Sequence, residues 1–266
     1  MPNPPGLITL LTDFGDQDSF VASMKGVILT INPQARFVDL SHQVSPHSIE
    51  EAAYLLNSCY RYFPEGTVHV AVVDPGVGSA RRPLLVKTAS YYFLGPDNGL
   101  FSYVLMDEDE VEVRKIENQQ YRLKSVGPTF EGRDLFASSA AWLTKGVPAS
   151  SFGQVIHDPI RFSVIEPSGG GNRLVGRVEH VDRFGNLISN LTLQHLEGVH
   201  PVAKNRQLSV RIGEQIIEGL VVNYSEGKAD QPSALINSDG RLEIFVKEAS
   251  AAGLLKIGRG TRIEVS

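Results

Sequence analysis

The sequence has little cysteine, no long apolar run and no basic block. Cys59 is the single cysteine among 266 residues, so no disulfide framework within the chain is possible, which fits a reducing compartment. No apolar stretch approaches the roughly 20 residues of a membrane-spanning helix, and the N-terminus lacks the basic segment of a signal peptide. The net charge of −5 and the absence of a Lys/Arg-rich block disfavour nucleic acid and anionic membranes as partners. We therefore expect a cytoplasmic protein.

The sequence also lacks the short motifs of several catalytic classes. Its seven histidines show no metal-ligand spacing such as H-x-x-x-H, so no metal site is predicted. Neither a phosphate loop, a dinucleotide fingerprint nor a nucleophile elbow is present. Cys59 lies on the apolar face of a predicted helix, and we interpret it as a core residue.

The first part of the chain alternates strand and helix patterns. Amphipathic spacing predicts a helix capped by Asp18, a second that begins with a capping box of Ser48 and Glu51, and a third over 134–145. Apolar or β-branched runs predict strands at 6–11, 36–40, 67–73, 83–88 and 91–94. This alternation is typical of a mostly parallel sheet covered by helices. We predict a three-layer α/β domain over residues 1–168.

The composition changes near residue 170. The segment 166–172, EPSGGGN, has the Gly and Ser content of a linker. Beyond it, short β-type runs alternate with turn residues, at 174–181, 207–212, 215–222, 234–236, 242–246 and 262–265. This spacing predicts a small all-β barrel or sandwich. We predict a barrel-like domain over residues 169–266.

Two predicted strands of the first domain end at carboxylates. In open α/β sheets, ligands bind beyond the carboxyl ends of the strands. Asp13 follows the first strand, where a carboxylate can hold ribose hydroxyls or serve only as a turn residue. Asp74 ends another strand, ahead of a glycine-rich loop that contains Arg81. An Asp and an Arg in one pocket can orient a water molecule or bind an anion, and a surface salt bridge is the alternative.

Two further polar clusters lie in predicted loops. Glu131 stands between an aromatic residue and a glycine, just before a predicted helix that Asp134 can cap. In the second domain, Asp182 and Asn186 flank Gly185, a residue that permits a tight turn. The Asp and the Asn can recognise a cation and an amide-bearing ring, and a simple β-hairpin turn is the alternative.

Six segments across both predicted domains carry a family resemblance. They are TDFGDQDSF, VVDPGVGSARRP, GPDNGLF, TFEGRDLF, VDRFGNLISN and ALINSDGRLEI, in this order. Together they resemble the S-adenosyl-L-methionine (SAM) hydroxide adenosyltransferase family, which is related to SAM-dependent fluorinase and chlorinase. The resemblance implies an α/β domain, a barrel-like domain, and homotrimers that bind SAM between the first domain of one subunit and the second domain of its neighbour. It implies that SAM is the substrate, that no cofactor is needed, and that water attacks C5′ of the ribose to release adenosine and methionine.

The resemblance also implies roles for individual residues. Asp74 and Arg81 match the Asp and Arg of the family's water site, and Glu131 stands where the family has His. The implied substrate contacts are Asp13 with the ribose hydroxyls, Asp182 with the methionine ammonium, Asn186 with the adenine edge, Phe184 and Tyr224 with the adenine face, and Ser238 with the methionine carboxylate. The segment 246–250 departs from the small, Asn-containing pattern that the family leads us to expect.

A mechanism follows from these assignments. The leaving group is a neutral thioether, which needs no acid, so the protein has to supply a positioned nucleophile in a dry pocket. Our hypothesis is that Asp74 accepts a hydrogen bond from the water, Arg81 stabilises its hydroxide character, and Glu131 pairs with Asp74. A second carboxylate repels halide more than a histidine would, which favours hydrolysis. The alternatives are a SAM- or adenosine-binding protein with little or no turnover, and a SAM-dependent halogenase.

Overall fold

The computed structural model describes residues 6–199 and 208–266. Residue 207, the first of one predicted strand, and residues 1–5, part of the segment on which the signal-peptide argument rests, lie outside that description. The chain divides into two compact units, one ending at Val164 and the other beginning at Ile165, called here the N-terminal and C-terminal units. The domain boundary between residues 168 and 169 stays a prediction. No helix among the described residues has the length and apolarity needed to span a membrane.

The N-terminal unit contains a six-stranded sheet in the order β2-β1-β3-β5-β4-β6. Its strands are β1 (Leu7–Thr12), β2 (Arg36–Ser41), β3 (Val68–Val72), β4 (Pro83–Lys87), β5 (Tyr92–Pro96) and β6 (Glu112–Lys115). Strand β1 runs parallel to β2 and β3, and β3 runs parallel to β5. Only β4 is antiparallel to its neighbours, β5 and β6. The predicted α/β class with a mostly parallel sheet is confirmed.

Helices cover both faces of this sheet. They are α1 (Phe20–Ile31), α2 (Ile49–Cys59), α3 (Ser102–Asp107) and α4 (Ser138–Thr144), which a π-helical turn (Gly132–Ala137) precedes. Helices α1 and α4 pack on one face through an apolar cluster that includes Met24 and Ala140, and α2 and α3 pack on the other through Leu56 and Val104. Short 3-10 turns lie at Tyr60–Tyr62, Gln119–Tyr121 and Ala149–Ser151.

Two predicted helix caps are wrong. Helix α1 begins after Ser19, and Asp18 is an exposed residue ahead of it. The backbone of α2 does begin after Ser48, but that side chain makes no capping hydrogen bond. Glu51 is engaged elsewhere, because its Oε2 accepts a hydrogen bond from the Ser45 N–H at 3.2 Å. The preceding turn therefore takes the carboxylate that a capping box would need.

The C-terminal unit is an antiparallel, nearly closed barrel. Its strands are β7 (Ser168–Gly170), β8 (Arg173–Val181), β9 (Leu187–Thr192), β10 (Ser209–Ile212), β11 (Gln215–Glu218), β12 (Pro232–Ile236), β13 (Arg241–Val246) and β14 (Arg262–Val265). The order is β11-β10-β14-β8-β9-β13-β12, with β7 paired to β8. Two short helices, α5 (Leu193–Val199) and α6 (Ala251–Leu255), and a 3-10 turn at Tyr224–Glu226 complete the described part of the unit. The predicted barrel-like class is confirmed.

The interpretation of 166–172 as a linker is wrong in part, and β9 was not predicted. Residues 168–170 form β7, which pairs with the start of β8. Strand β9 has the mixed sequence LISNLT, and two of its polar residues, Ser189 and Asn190, are buried and hydrogen-bonded. Ser189 Oγ donates to the Leu242 carbonyl at 2.7 Å, and Asn190 Nδ2 donates to the Ile165 carbonyl at 2.7 Å. These partners offset the cost of burying polar groups, so a segment with two buried polar residues can occupy a central strand.

Candidate functional site

Asp74 and Arg81 form a buried ion pair beyond the end of β3. The Arg81 Nε donates to both carboxylate oxygens of Asp74, at 3.0 Å and 2.9 Å, and Arg81 Nη2 also bonds to Asp74 Oδ2. The two side chains are only 5% and 9% exposed, Asp74 being the more buried. The pair is therefore not a surface salt bridge, and its bidentate geometry fixes the orientation of both groups.

Glu131 extends this pair into a chain of charges. Arg81 Nη2 bonds to Glu131 Oε2, so the guanidinium of Arg81 lies between the two carboxylates. Glu131 Oε1 faces a second guanidinium, since Arg122 Nη2 lies 3.1 Å from it. The side chain of Glu131 is 12% exposed, so it does not turn outward to solvent. The result is an alternating array of Asp74, Arg81, Glu131 and Arg122, called here the charge array.

The interpretation of the sequence missed Arg122. It follows the 3-10 turn at 119–121, in a segment outside the six family-like motifs. Two hydrogen bonds hold this segment against the π-helical turn and the start of α4. The Leu123 N–H donates to the Asp134 carbonyl at 2.8 Å, and Ser138 Oγ donates to the Tyr121 carbonyl at 2.7 Å. The available signal was the acidic residue itself, because a carboxylate held away from solvent needs a cationic or hydrogen-bonding partner.

Asp134 does not cap the helix, which is a correction to the sequence-based expectation. The π-helical turn begins after Glu131, and Asp134 is buried within it. Arg133 Nε donates to Asp134 Oδ1 at 2.5 Å, and the guanidinium carbon lies 4.9 Å from the Phe130 ring centroid. Arg133 therefore pairs with the carboxylate that follows it in the sequence and packs on an aromatic ring of the cavity wall.

Aromatic rings and two carboxylates line a cavity of about 390 Å³ in the N-terminal unit. Phe14, Phe20 and Phe130 pack against one another with ring centroids 5.3–5.9 Å apart. A Cβ added at Gly132 would lie 3.2–3.3 Å from the rings of Phe130 and Phe14, so a side chain there would crowd the rings. The remaining lining residues are Val72, Asp74, Val77, Thr129, Glu131 and Arg133. Apolar wall and acidic groups therefore meet in one concave site.

Asp13 is held at the end of β1 by its surroundings. Its Oδ2 accepts a hydrogen bond from the His47 N–H at 2.9 Å, and the residue is half-buried. The neighbouring Thr12 Oγ1 lies 2.9 Å from His42 Nδ1, which ties the same loop to the segment after β2. Asp13 is not among the residues that line the N-terminal cavity.

A larger cavity, of about 760 Å³, lies in the C-terminal unit. Asp182 organises one side of it, because Oδ1 accepts from the Phe184 N–H at 2.9 Å and the Asn186 N–H at 2.8 Å. Its Oδ2 accepts from Asn186 Nδ2 at 3.0 Å. Gly185 completes the turn with φ +83°, a conformation that favours glycine. Asp182 and Asn186 are thus bonded to each other in a hairpin turn that also forms the cavity wall.

Two exposed aromatic rings, those of Phe184 and Tyr224, line the same cavity. Phe184 is 77% exposed and Tyr224 is 48% exposed, so both can pack on a flat ring. The Tyr224 hydroxyl donates to Glu243 Oε1 at 2.8 Å, and Asn237 Nδ2 donates to Glu243 Oε2 at 3.0 Å. Burial raises the pKa of the Glu243 carboxyl, and burial together with this hydrogen bond raises the pKa of Tyr224 to about 12. Glu243, which sequence reasoning missed, thus fixes the Tyr224 ring.

Ser238 is exposed in the turn between β12 and β13, and it is not among the residues that line this cavity. Lys247 and Glu248, from the segment that departs from the expected family pattern, do line it. Glu248 has φ +57°, which is strained for a residue other than glycine. The structure thus brings Asp182, Phe184, Asn186 and Tyr224 to one cavity, and Asp74, Arg81 and Glu131 to one ion-pair array.

Fold and site together define an α/β unit with a buried carboxylate–guanidinium cluster, followed in the chain by a β-barrel unit with an aromatic cavity. Residues 8–153 match the SAM hydroxide adenosyltransferase N-terminal domain, and residues 176–264 match the C-terminal domain of the same family. The chain belongs to the SAM hydroxide adenosyltransferase family.

Individual relatives agree with this assignment. The chain is 35% identical to the (R)-S-adenosyl-L-methionine hydrolase of Methanocaldococcus jannaschii, over 97% of this chain and 95% of that protein. It is 33% identical to the protein of the same name from Thermus thermophilus, over 97% and 98%. A fluorinase of an Actinoplanes species is 28% identical, over 98% and 97%. The crystal structure of an uncharacterized conserved protein from Thermotoga maritima superposes with a TM-score of 0.90 at 31% identity, covering 97% of this chain and 99% of that one.

Proposed function

We propose that this protein hydrolyses SAM to adenosine and L-methionine. The observation that carries the proposal is the buried array of Asp74, Arg81 and Glu131, of which both carboxylates line an aromatic cavity. Membership of the SAM hydroxide adenosyltransferase family supplies the substrate. The relatives named (R)-S-adenosyl-L-methionine hydrolases indicate the (R) epimer at the sulfonium centre, so we include that epimer in the proposal.

The proposed reaction is a displacement at the ribose C5′ carbon. The water oxygen forms a bond to C5′ while the C5′–S bond breaks and its electron pair stays on sulfur. The sulfonium becomes the neutral thioether of methionine, so no acid is needed for the leaving group. The water loses one proton, which passes to solvent by way of the carboxylate that accepts it. Holding the reactants in line can supply on the order of 7–11 kcal/mol of the barrier.

Asp74 and Arg81 are suited to hold the water. A carboxylate has about four lone-pair positions, so Asp74 can still accept a hydrogen bond while Arg81 binds it. A guanidinium has five N–H donors, and Arg81 uses only its Nε and Nη2 groups on the two carboxylates. The remaining donors can stabilise the developing hydroxide. Glu131 holds Arg81 from the other side.

The proposed substrate contacts keep the roles given by the family resemblance. Four of these contacts are supported by residues that line one cavity of the C-terminal unit, namely Asp182, Phe184, Asn186 and Tyr224. Phe184 and Tyr224 have exposed aromatic rings on which adenine can pack. Asp13 is proposed to bind the ribose hydroxyls through the oxygen that His47 does not engage. Ser238 is proposed to contact the methionine carboxylate.

The assembly and the compartment are part of the proposal. We propose a homotrimer with its SAM sites at subunit interfaces, in the cytoplasm. Gel filtration with light scattering tests the first point, and a mass of three chains is expected, each of 29.0 kDa.

The direct test is to incubate the purified protein with SAM and to quantify adenosine and methionine by chromatography. Equimolar release by the wild type, lost in Asp74→Ala and kept in Lys145→Ala, supports the enzyme. Lys145 is a suitable control because it is exposed at the end of α4, with its Nζ 5.0 Å from the Trp142 ring centroid. SAM binding without product would instead support the binding-protein alternative. Halide-dependent 5′-halo-5′-deoxyadenosine would support the halogenase.

The epimer is tested separately with the two sulfonium forms of SAM. Faster consumption of the (R) form, at equal total concentration, supports the proposal. Equal rates for the two forms, or a preference for the other form, would refute it.

A further inference from the structure

We infer that Arg122 is a positioning residue of the hydrolytic site, and that the Glu131–Arg122 pair acts there as the electrostatic equivalent of a neutral histidine. This inference rests on the proposed function. With Glu131 and Arg122 present, the charge array contains two carboxylates and two guanidinium groups and has a formal charge of zero. The family resemblance implies Asp, Arg and His at this site, and that set has the same formal charge when its His is neutral. Glu131 alone in place of His would leave an excess negative charge.

The geometry shows how Arg122 compensates the charge of Glu131. The two oxygens of Glu131 face different guanidinium groups, Oε1 that of Arg122 at 3.1 Å and Oε2 that of Arg81. Glu131 is therefore held at both ends and cannot rotate toward Asp74 without losing an ion pair. Backbone hydrogen bonding of Leu123 to Asp134 fixes the segment that carries Arg122. Charges that are mostly shielded from water interact more strongly than exposed ones.

The charge of the substrate gives this neutrality a catalytic meaning. SAM enters with a positive charge on sulfur, and that charge disappears as the C5′–S bond breaks. An uncompensated carboxylate near the site stabilises the bound sulfonium more than it stabilises the transition state. Interactions that favour the ground state lower kcat, and they can lower KM as well. An uncompensated guanidinium would instead weaken the binding of the cation.

The first test is the variant Arg122→Gln. We expect kcat to fall by about 10-fold to 100-fold, the usual effect of losing a charged hydrogen bond, while KM stays the same or falls. The control is Arg61→Gln, which removes another Arg–carboxylate contact of 3.1 Å in the same unit, between Arg61 and Asp107. The control should keep wild-type kcat and KM. A fall in kcat with a raised KM would indicate a merely loosened site and would overturn the inference.

The second test is a rescue by a double variant. At pH 8 a histidine with an ordinary pKa is neutral, so Glu131→His alone leaves the array with an excess positive charge and should raise KM. Adding Arg122→Gln to Glu131→His returns the array to neutrality, and most of the activity lost by either single variant should return. Losses that simply multiply in the double variant would overturn the inference.

A binding measurement separates this inference from the proposed function. The affinities for SAM and for its neutral thioether analogue S-adenosylhomocysteine are measured by calorimetry. Arg122→Gln should shift the ratio of the two affinities toward SAM by about 10-fold, and Arg122→Lys should leave it near the wild-type value. If the wild type releases no adenosine, the proposed function fails, yet this ratio still decides whether Arg122 compensates the charge of Glu131. An unchanged ratio in Arg122→Gln refutes it.

Discussion

Replacing Arg81 by Met should destabilise the N-terminal unit as well as stop hydrolysis. Arg81 bonds to two carboxylates that are 5% and 12% exposed, and the substitution leaves Asp74 without its cation. Removing one partner of a buried ion pair costs about 3–5 kcal/mol, because the other charge stays buried without compensation. For a unit of this size, each kcal/mol corresponds to roughly 2–4 °C in Tm, so we expect Tm to fall by roughly 6–20 °C.

The measurement is thermal unfolding by circular dichroism, with the SAM assay run on the same samples. The control Arg61→Met breaks an ion pair whose arginine is partly exposed, and such pairs contribute about 0–1 kcal/mol. The double variant Asp74→Asn with Arg81→Met should recover part of the lost Tm, since it removes the orphaned charge, but should recover no hydrolysis. A Tm for Arg81→Met equal to that of the control would refute the reasoning.

Three further predictions concern other parts of the fold. Gly185→Ala should lower Tm and raise the KM for SAM, because the new Cβ would lie 2.0 Å from Ser250 Oγ and the residue has a φ of +83°. The control is Gly240→Ala, which has a φ of +72° but no atom within 4 Å of the new Cβ, so it should lower the free energy of unfolding by only about 1 kcal/mol. Burial lowers the pKa of His69 to about 3, so the unfolded state takes up a proton below pH 6.5 and the native state does not. The contribution of His69 to the free energy of unfolding should be full above pH 6.5 and fall by up to about 1.4 kcal/mol per pH unit toward pH 3. Chemical denaturation at a series of pH values measures this dependence, and His69→Gln should lack it. Tyr224→Phe should lower the free energy of unfolding by about 1–3 kcal/mol in the same denaturation assay, because the buried Glu243 carboxylate loses a hydrogen-bond donor. A variant as stable as the wild type would contradict a stabilising role for that hydrogen bond.

Local sequence patterns were sufficient to predict those elements and site residues that a single physical signal marks. The strands β1, β2 and β3 have apolar or β-branched runs that end at turn residues, and all three were predicted close to their observed bounds. The site residues at strand ends, Asp13 and Asp74, could be singled out because ligands of open α/β sheets collect there. Both the α/β class and the barrel class followed from the change in pattern near residue 170.

Other features depend on partners that are distant in the sequence. Strand β9 has polar residues that are acceptable only because strand β13 and Ile165 supply their hydrogen bonds. The Ser48 capping box failed because Glu51 has a competing donor one turn earlier. Arg122 reaches Glu131 only after the chain folds back along the π-helical turn. No periodicity in the sequence encodes these contacts, since each depends on tertiary packing.

The π-helical turn over Gly132–Ala137 has a consequence for how this family's sequences can vary in length. A π turn accommodates more residues than an α turn over the same stretch of axis. Deleting a single residue from it would let the segment close into α-helix while Glu131 keeps nearly the same orientation relative to α4. Helix α4 has no wide turn to absorb such a change, so a deletion there would rotate the side chains ahead of it by about 100°. Glu131 would then leave the line between its two guanidinium partners. The π turn should therefore tolerate the loss of one residue better than α4 does, with hydrolysis of SAM as the measure.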